Sequence, residues 1–295
     1  METPARRDIV QANVVCPADT VFGVQRHHRE DGSRWFTLQP GPRTLGFDGH
    51  PAPGLLFIAG DMSVGHGAMS TVGSREVIVT TSMHLELHTR PFEDGTPLEV
   101  LPSTGHRYHG GAAGVGSLRS GTGVTASVTG RFAILSLGTR AAGNIADTPT
   151  DVAPNDDTPA EAAHEPHPLI DAPIYRTLGT RVVEAGEREV TLAYCAAPEL
   201  ANERRGVHGG VGALMGERAC DTLLRTVARP GIDLRPVTMS TAFLRPLAAD
   251  HSTVQCVARV EHAGRQLVVV QATLHTADGK PAVVVDLVAA GVPTD

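Results

Sequence analysis

The segment from Asn202 to Glu217 carries the residues with the clearest potential for chemistry. It contains His208-Gly209-Gly210, with Asn202 seven residues before Gly209 and Glu217 eight residues after it, at the start of a stretch with helical apolar spacing. The first N–H groups of a helix have no partner within the helix and lie at the positive end of its dipole. They can therefore bind negative charge that develops on a carbonyl oxygen, and glycine lets a ligand approach the backbone closely. The segment predicts an oxyanion hole, and its alternative is a simple tight turn.

Two carboxylates are candidates for acid–base or nucleophilic work. Glu217 lies in the helix that follows Gly210, and Asp61 lies in a second apolar stretch from Leu55 to Met69. A helical carboxylate packed against apolar neighbours has a raised pKa, which suits a general base or a nucleophile. Each acid could also be a solvated or purely structural residue.

Periodicity predicts one helix and five strands around the first motif. The helix runs from Val211 to Val227 and ends at Arg229-Pro230-Gly231. One strand, Arg188 to Cys195, precedes it, and four alternating strands follow it, at about 237–243, 254–260, 268–274 and 282–290. Because the joints between them are short, the strands should be antiparallel and should wrap the helix.

The N-terminal half repeats this order at a constant offset of 156 residues. The matching pairs are Phe22-Gly23 with Leu178-Gly179, Pro53-Gly54 with Gly209-Gly210, and Asp61 with Glu217. A two-residue slip is then needed to align Val79–Met83 with Val237–Thr241. We expect a tandem duplication, with an N-terminal domain at 1–140, an acidic linker at 141–172 and a C-terminal domain at 173–295.

The first copy is less regular than the second. Its helix, Leu55 to Met69, contains three glycines, so either another backbone approaches closely or the helix is broken. Strands are predicted at Glu76–Leu87 and Val124–Leu137. A glycine-rich insertion around Tyr108–Gly114 separates them.

Length and charge exclude several classes of function. The chain has 295 residues, which suggests about two domains. Its net charge of -7 is concentrated between Ala141 and Tyr175, where seven acids occur without a Lys or Arg, so the remainder has 25 acids and 25 bases and lacks a nucleic-acid footprint. We find no apolar run long enough for a membrane span and no secretory h-region, and expect a cytoplasmic protein. The four cysteines are scattered and predict neither disulfides nor a zinc site.

With these motifs in place, the sequence resembles the hotdog-fold acyl-CoA thioesterases of the phenylacetate-pathway and 4-hydroxybenzoyl-CoA type. The resemblance covers residues 170–292 well and the first copy weakly, and it includes Phe243-Leu244-Arg245-Pro246 and Gly264-Arg265. It implies an α+β double hotdog, in which two antiparallel sheets each wrap a central helix and pair as an intramolecular pseudo-dimer. It also implies a thioester hydrolase with coenzyme A as part of the substrate and no other cofactor. A homodimer of double hotdogs is compatible with it.

In the resembled family, the oxyanion glycine of one hotdog faces the acid of the other, which makes the expected site asymmetric. Asn202 and the Gly209 N–H would meet Asp61, with His208 shaping the turn and Gly210 and Arg265 contacting the substrate. In the mirror site, Glu217 would face Pro53, which has no N–H. Two further positions there depart from the family pattern, Ala52 for His208 and Gly46 for Asn202.

Two alternatives stay open at this level, and a metal site is disfavoured. Asp61 and His66 have the spacing of a hotdog enoyl-CoA hydratase dyad, although Ser63-Val64 replaces its Asn-Pro. A fused hotdog with one degenerate half could also bind acyl-CoA without turning it over. A metal site is not expected, because the histidine pairs His27-His28 and His84/His88 have no carboxylate or cysteine framework nearby.

Overall fold

The computed structural model describes residues 16–28, 34–92, 95–101, 104–121, 123–136 and 160–294. Within these ranges the first copy contains two α-helices and seven strands. Their bounds are α1 Pro17–Phe22, β1 Val24–His28, β2 Arg34–Leu38, α2 Leu55–Met69, β3 Glu76–Leu87, β4 Leu98–Val100, β5 Thr104–Tyr108, β6 Gly111–Ser120 and β7 Gly123–Ser136.

The second copy has the same plan with fewer strands. Its elements are α3 Pro173–Thr177, β8 Arg181–Ala185, β9 Glu189–Cys195, α4 Gly209–Val227, β10 Ile232–Phe243, β11 Thr253–Ala263, β12 Leu267–His275 and β13 Pro281–Pro293. The predicted long helix and the four strands after it are confirmed. A strand that the periodicity did not predict, β8, precedes β9 and pairs with it.

All strands belong to one antiparallel sheet. Its order is β1-β2-β4-β6-β7-β3-β10-β13-β12-β11-β9-β8, with β5 beside β6. Each half of the sheet curves around one helix, α2 or α4, and the halves join where β3 pairs with β10. The predicted α+β pseudo-dimer is confirmed, and its two sheets are continuous through this pair. Hydrogen bonding between the edge strands therefore couples the two copies.

The register of β3 and β10 identifies the pseudo-twofold axis. His84 pairs with Ser240, which lies 156 residues later, and their side chains are hydrogen-bonded, with Nδ1 and Oγ 2.7 Å apart. Both strands also carry a bulge at the same place, after Thr80 in one and after Pro236 in the other. The two-residue slip expected from the sequence is therefore wrong, because the offset of 156 continues through the strand.

Helix α2 is continuous, and glycines in the sheet explain its close packing. A Cβ on Gly114 of β6 would lie 2.3 Å from the carbonyl oxygen of Val64, so only glycine permits this approach. The segment predicted as a glycine-rich insertion around Tyr108–Gly114 is thus two paired strands, β5 and β6. Its glycines bring the sheet against the helix, and the close-approach interpretation of the helix is the correct one.

The acidic linker is only partly described. Residues 141–159 lie outside the described ranges. From Ala160 the chain packs on the second copy, with Ala160, Ile170 and Ala172 buried. This end of the predicted linker is part of the folded body.

Two findings concern membranes and disulfides. Within the described ranges, no helix combines the length and the apolar character that crossing a membrane requires. All four cysteines are free, and three of them, Cys16, Cys220 and Cys256, are buried, as is usual for this small apolar side chain.

The N-terminus of α4 packs directly on α2. A Cβ on Gly210 would lie 2.6 Å from the Cα of Ile58, a backbone atom that cannot turn away. We therefore expect Gly210→Ala to lower the free energy of unfolding by about 1–3 kcal/mol through overpacking, measured by urea denaturation. Gly209→Ala is the matched control, since its Cβ would meet only side-chain atoms at 3.6 Å or more. Equal losses in both variants would contradict this account.

Candidate active site

Asp61 lies on α2 and faces the N-terminus of α4 across the interface between the copies. Its Oδ2 is 4.0 Å from Nε2 of His208 and 3.8 Å from the position that a Cβ on Gly209 would occupy. Its Oδ1 accepts a hydrogen bond of 2.9 Å from the Thr80 hydroxyl. The side chain is 19% exposed. The structure thus brings a largely buried carboxylate from one copy against the His-Gly-Gly segment of the other.

His208 is the N-cap of α4, and its tautomer follows from that position. Its Nδ1 accepts a hydrogen bond of 3.1 Å from the Gly210 N–H. A backbone amide can only donate, so Nδ1 carries the lone pair and Nε2 keeps the proton. The N–H of Gly209 has no acceptor among the described residues. It is the free donor at the helix N-terminus that the motif predicted.

Asn202 supports the loop that leads into this helix. Its Oδ1 accepts hydrogen bonds from the Arg204 and Gly206 N–H groups at 2.9 and 3.2 Å. The oxygen is therefore engaged in the turn, and the amide nitrogen of Asn202 has no acceptor within the described part of the chain. These two bonds fix the side chain in the loop before α4 and leave its NH₂ group as the donor for a substrate carbonyl.

The surroundings of Asp61 act on its acidity in opposite directions. Burial raises the pKa of this carboxyl above its ordinary value, while the electrostatic attraction of the neighbouring His208 imidazole and the hydrogen bond from Thr80 lower it. Burial is the larger effect. A base of this kind must be ionised to act, so activity should fall on the acid side at a pH above the ordinary range of aspartate.

Thr80→Val tests the hydrogen bond to this carboxylate. Removing a donor to the ionised form raises the pKa of Asp61, so we expect the acid limb of the pH profile of kcat/KM to move to higher pH. The matched control is Thr81→Val, because the Thr81 hydroxyl donates to the carbonyl of Arg131 and not to Asp61. A limb that moves equally in both variants would show that Thr80 has no specific effect.

The structure places Glu217 in a different environment from Asp61. Glu217 and Arg218 are 0% and 2% exposed and form a two-bonded ion pair, and the Gly54 backbone lies so close that a Cβ there would be 2.6 Å from Glu217 Oε2. Arg218 further donates to Asp221 at 3.2 Å. The acid of α4 is therefore already paired in the core, where it lies against the N-terminus of α2. Pro53 offers no N–H beside them, and Pro236 occupies the position equivalent to Thr80.

A cavity of about 350 Å³ opens at this mirror position. Its walls include Ala52, Pro53, Arg218 and Leu224, and charged side chains such as Arg90 lie at its rim. The cavity lies next to the locked ion pair and not at Asp61. The free volume therefore lies at one position, and the available carboxylate and N–H lie at the other.

The other predicted residues lie apart from this group. Arg265 is exposed in the loop between β11 and β12. His66 is exposed, and its ring packs edge-on against Phe36. His66 and Asp61 are five residues apart on α2, so they lie about 140° apart around the helix axis. His84 is bonded to Ser240 on the pseudo-twofold axis. The spacing that suggested a hydratase dyad does not bring Asp61 and His66 together.

Three residues near the site were not singled out from the sequence. Thr80 is one, and its position opposite Asp61 depends on how β3 crosses α2. The others are Cys16 and Asp19 of the α1 region, which lie with His208 so that one sulfur, carboxylate oxygen or ring nitrogen of each falls within 4.8 Å of the others. Burial and the charge of Asp19 raise the pKa of the Cys16 thiol to about 12, so it is not a thiolate at neutral pH. No periodicity or motif marks these positions.

Comparison with solved structures covers nearly the whole chain. A conserved protein of unknown function with a hot dog fold from Alicyclobacillus acidocaldarius aligns with a TM-score of 0.60 over 95% of this chain and 100% of its own, at 13% identity. The tesB protein of Mycobacterium avium subsp. paratuberculosis aligns with the same TM-score over 93% and 97%, at 12% identity. This chain is a double hotdog protein. Residues 206–283 of the double hotdog match the model of the thioesterase superfamily, which confirms the resemblance stated from the sequence. No curated protein is significantly similar to the sequence.

Proposed function

We propose that this double hotdog protein hydrolyses acyl thioesters, with acyl-CoA as the substrate class, at one site per chain. The observation that carries the proposal is the approach of the Asp61 carboxylate to His208 and Gly209 at the start of α4, across the interface between copies. The match of residues 206–283 to the thioesterase superfamily supports the same reaction class.

The proposed reaction needs one base and one oxyanion donor. Asp61 takes a proton from water as the water oxygen bonds to the thioester carbonyl carbon, and the carbonyl electron pair moves to oxygen. The Gly209 N–H, with the amide of Asn202, stabilises this oxyanion, an effect of about 3 kcal/mol per donor. The oxyanion then collapses, the C–S bond breaks, and the thiolate takes the proton back from Asp61. The products are a carboxylic acid and the free thiol.

The mirror position is proposed to be structural. Its carboxylate, Glu217, already accepts two hydrogen bonds from Arg218, so no free base is available there. A second turnover site would require breaking a buried ion pair, and we therefore expect one active site per chain.

Substrate contacts outside the reacting group are proposed from the resemblance. Arg265 suits a CoA phosphate because its guanidinium offers a planar fork and is exposed. Gly210 lines the helix start beside the thioester. No metal and no cofactor other than the CoA of the substrate enters this reaction as proposed.

A hydrolysis panel tests the proposal. Purified full-length protein is incubated with short, long and aromatic acyl-CoAs, and free thiol and acid are quantified by chromatography. We expect release of CoA and acid in equal amounts from at least one class. Tight binding of acyl-CoA without release would instead support a binding module, and hydration of crotonyl-CoA that is lost in His66→Ala would support the hydratase.

A further inference from the structure

A second carboxylate, that of Asp19, lies beside the proposed site and is not used by the mechanism above. Asp19 belongs to α1 of the first copy, which packs against the loop that leads into α4, with the Ala18 N–H donating to the carbonyl of Ala201 at 3.2 Å. This contact positions Asp19 next to His208. The residue is only 6% exposed.

The two oxygens of Asp19 differ in their bonding. Oδ2 accepts from the Cys16 N–H at 3.2 Å, which caps the start of α1. Oδ1 is buried and has no hydrogen-bond partner among the described residues. Capping accounts for one oxygen only, and buried carboxylate oxygens are normally satisfied. The free oxygen therefore indicates a ligand at this place.

The spacing of the surrounding polar atoms indicates which ligand fits. His208 Nε2 and Asp61 Oδ2 are 4.0 Å apart, and atoms of Cys16, Asp19 and His208 lie within 4.8 Å of one another. The 4.0 Å between Nε2 and Oδ2 is too long for a direct hydrogen bond, but it suits two atoms that share one water, which are about 4–5 Å apart. Nitrogen and oxygen ligands of a tetrahedral zinc ion lie closer, at about 3.3 Å, than His208 Nε2 and Asp61 Oδ2 do.

The protonation state of His208 also favours a water over a metal ion. Its Nδ1 accepts from Gly210, so Nε2 carries a proton and has no lone pair for a metal. A water is the complementary partner. It accepts one hydrogen bond from Nε2–H and donates two, one to each carboxylate.

We propose that Asp19 is the second carboxylate of the hydrolytic site, and that it binds the attacking water together with His208 Nε2–H and Asp61 Oδ2. The inference rests on the proposed thioesterase function. A water held by these three bonds keeps one lone pair free, which is the pair that attacks the thioester carbon. Asp61 then takes the proton while Asp19 holds the other hydrogen in place.

Asp19→Asn tests this role in the full-length protein. The asparagine oxygen can still accept from Cys16 N–H, but its NH₂ then faces the water as a donor and can no longer accept from it. We expect kcat to fall about 10- to 100-fold with KM within about twofold, because orientation of the water is lost and acyl contacts are not. Thermal unfolding checks that the variant is folded.

Glu203→Gln is the matched control. The charged or polar groups acting on Asp61 are His208 at the start of α4, Thr80 of β3, Asp19 of the α1 region and Glu203 of the loop before α4. Glu203 is exposed, so its variant removes a nearby negative charge without touching the buried cluster. We expect its kcat within about twofold of wild type. An equal loss in both variants, or no loss in Asp19→Asn, would overturn the proposal.

Two measurements on the wild-type protein do not depend on turnover. A high-resolution crystal structure should contain a water within hydrogen-bond distance of Asp19 Oδ1, His208 Nε2 and Asp61 Oδ2. Its absence there would refute the water site even in an active enzyme, whereas its presence in a protein that hydrolyses no thioester would refute only the proposed function. After incubation with ZnCl₂ and dialysis, we expect no bound zinc. Zinc bound at one equivalent in the wild type and absent in Asp19→Asn would show that the site holds a metal ion and would overturn the water proposal.

Discussion

Asp61→Asn should lower kcat for thioester hydrolysis by about 10²- to 10⁴-fold, the usual contribution of a general base. Asparagine has the same shape and can still accept the hydrogen bond of the Thr80 hydroxyl, so the fold should be kept. Only the ability to take a proton from water is removed. Steady-state kinetics with the best substrate of the panel measures the effect, and circular dichroism verifies the fold.

A binding measurement distinguishes a variant that has lost only the chemical step from one that no longer binds the substrate. We expect the Asp61→Asn protein to bind a non-hydrolysable acyl-CoA analogue with a Kd within a few fold of wild type, measured by calorimetry. Glu217→Gln is the opposing variant, because Glu217 holds the equivalent helix position in the other copy. If the folded Glu217→Gln protein lost all activity while Asp61→Asn stayed active, the assignment of the two acids would be reversed.

Glu217→Gln should instead destabilise the protein, by about 3 kcal/mol. The substitution leaves the guanidinium of Arg218, which is 2% exposed, without its two-bonded partner in the core. Asp221 still accepts one hydrogen bond from Arg218, and for this reason we expect the lower end of the range for a broken buried pair. Urea denaturation of wild type and variant measures the difference.

A double variant provides the control for this loss. Replacing both partners, as in Glu217→Met with Arg218→Met, removes the unpaired charge and should recover most of the stability. The two single variants should each be less stable than the double variant. A Glu217→Gln protein within about 0.5 kcal/mol of wild type would contradict a structural role for the pair.

The repeated helix and strand pattern was readable from the sequence because it is local and periodic. Helix α2 was predicted with the bounds it has, and the strand that becomes β3 likewise. The glycine-rich segment around Gly111 was misjudged, since glycine weakens strand propensity. Its strand conformation depends on tertiary packing against α2, where a larger residue would collide with Val64.

The sequence by itself determined the duplication, the His-Gly-Gly helix start and the pair of helical acids, because each is a matter of residue type at fixed spacing. Only the tertiary structure decided which acid is available. Arg218 follows Glu217 directly and folds back onto it in the core, while Asp61 meets His208 and Thr80. The partners of Asp61 come from other elements, and Asp19 joins them from a short helix with no motif. Contacts between distant segments carry no spacing signal in a single sequence, so the chemistry of this site depends on the fold.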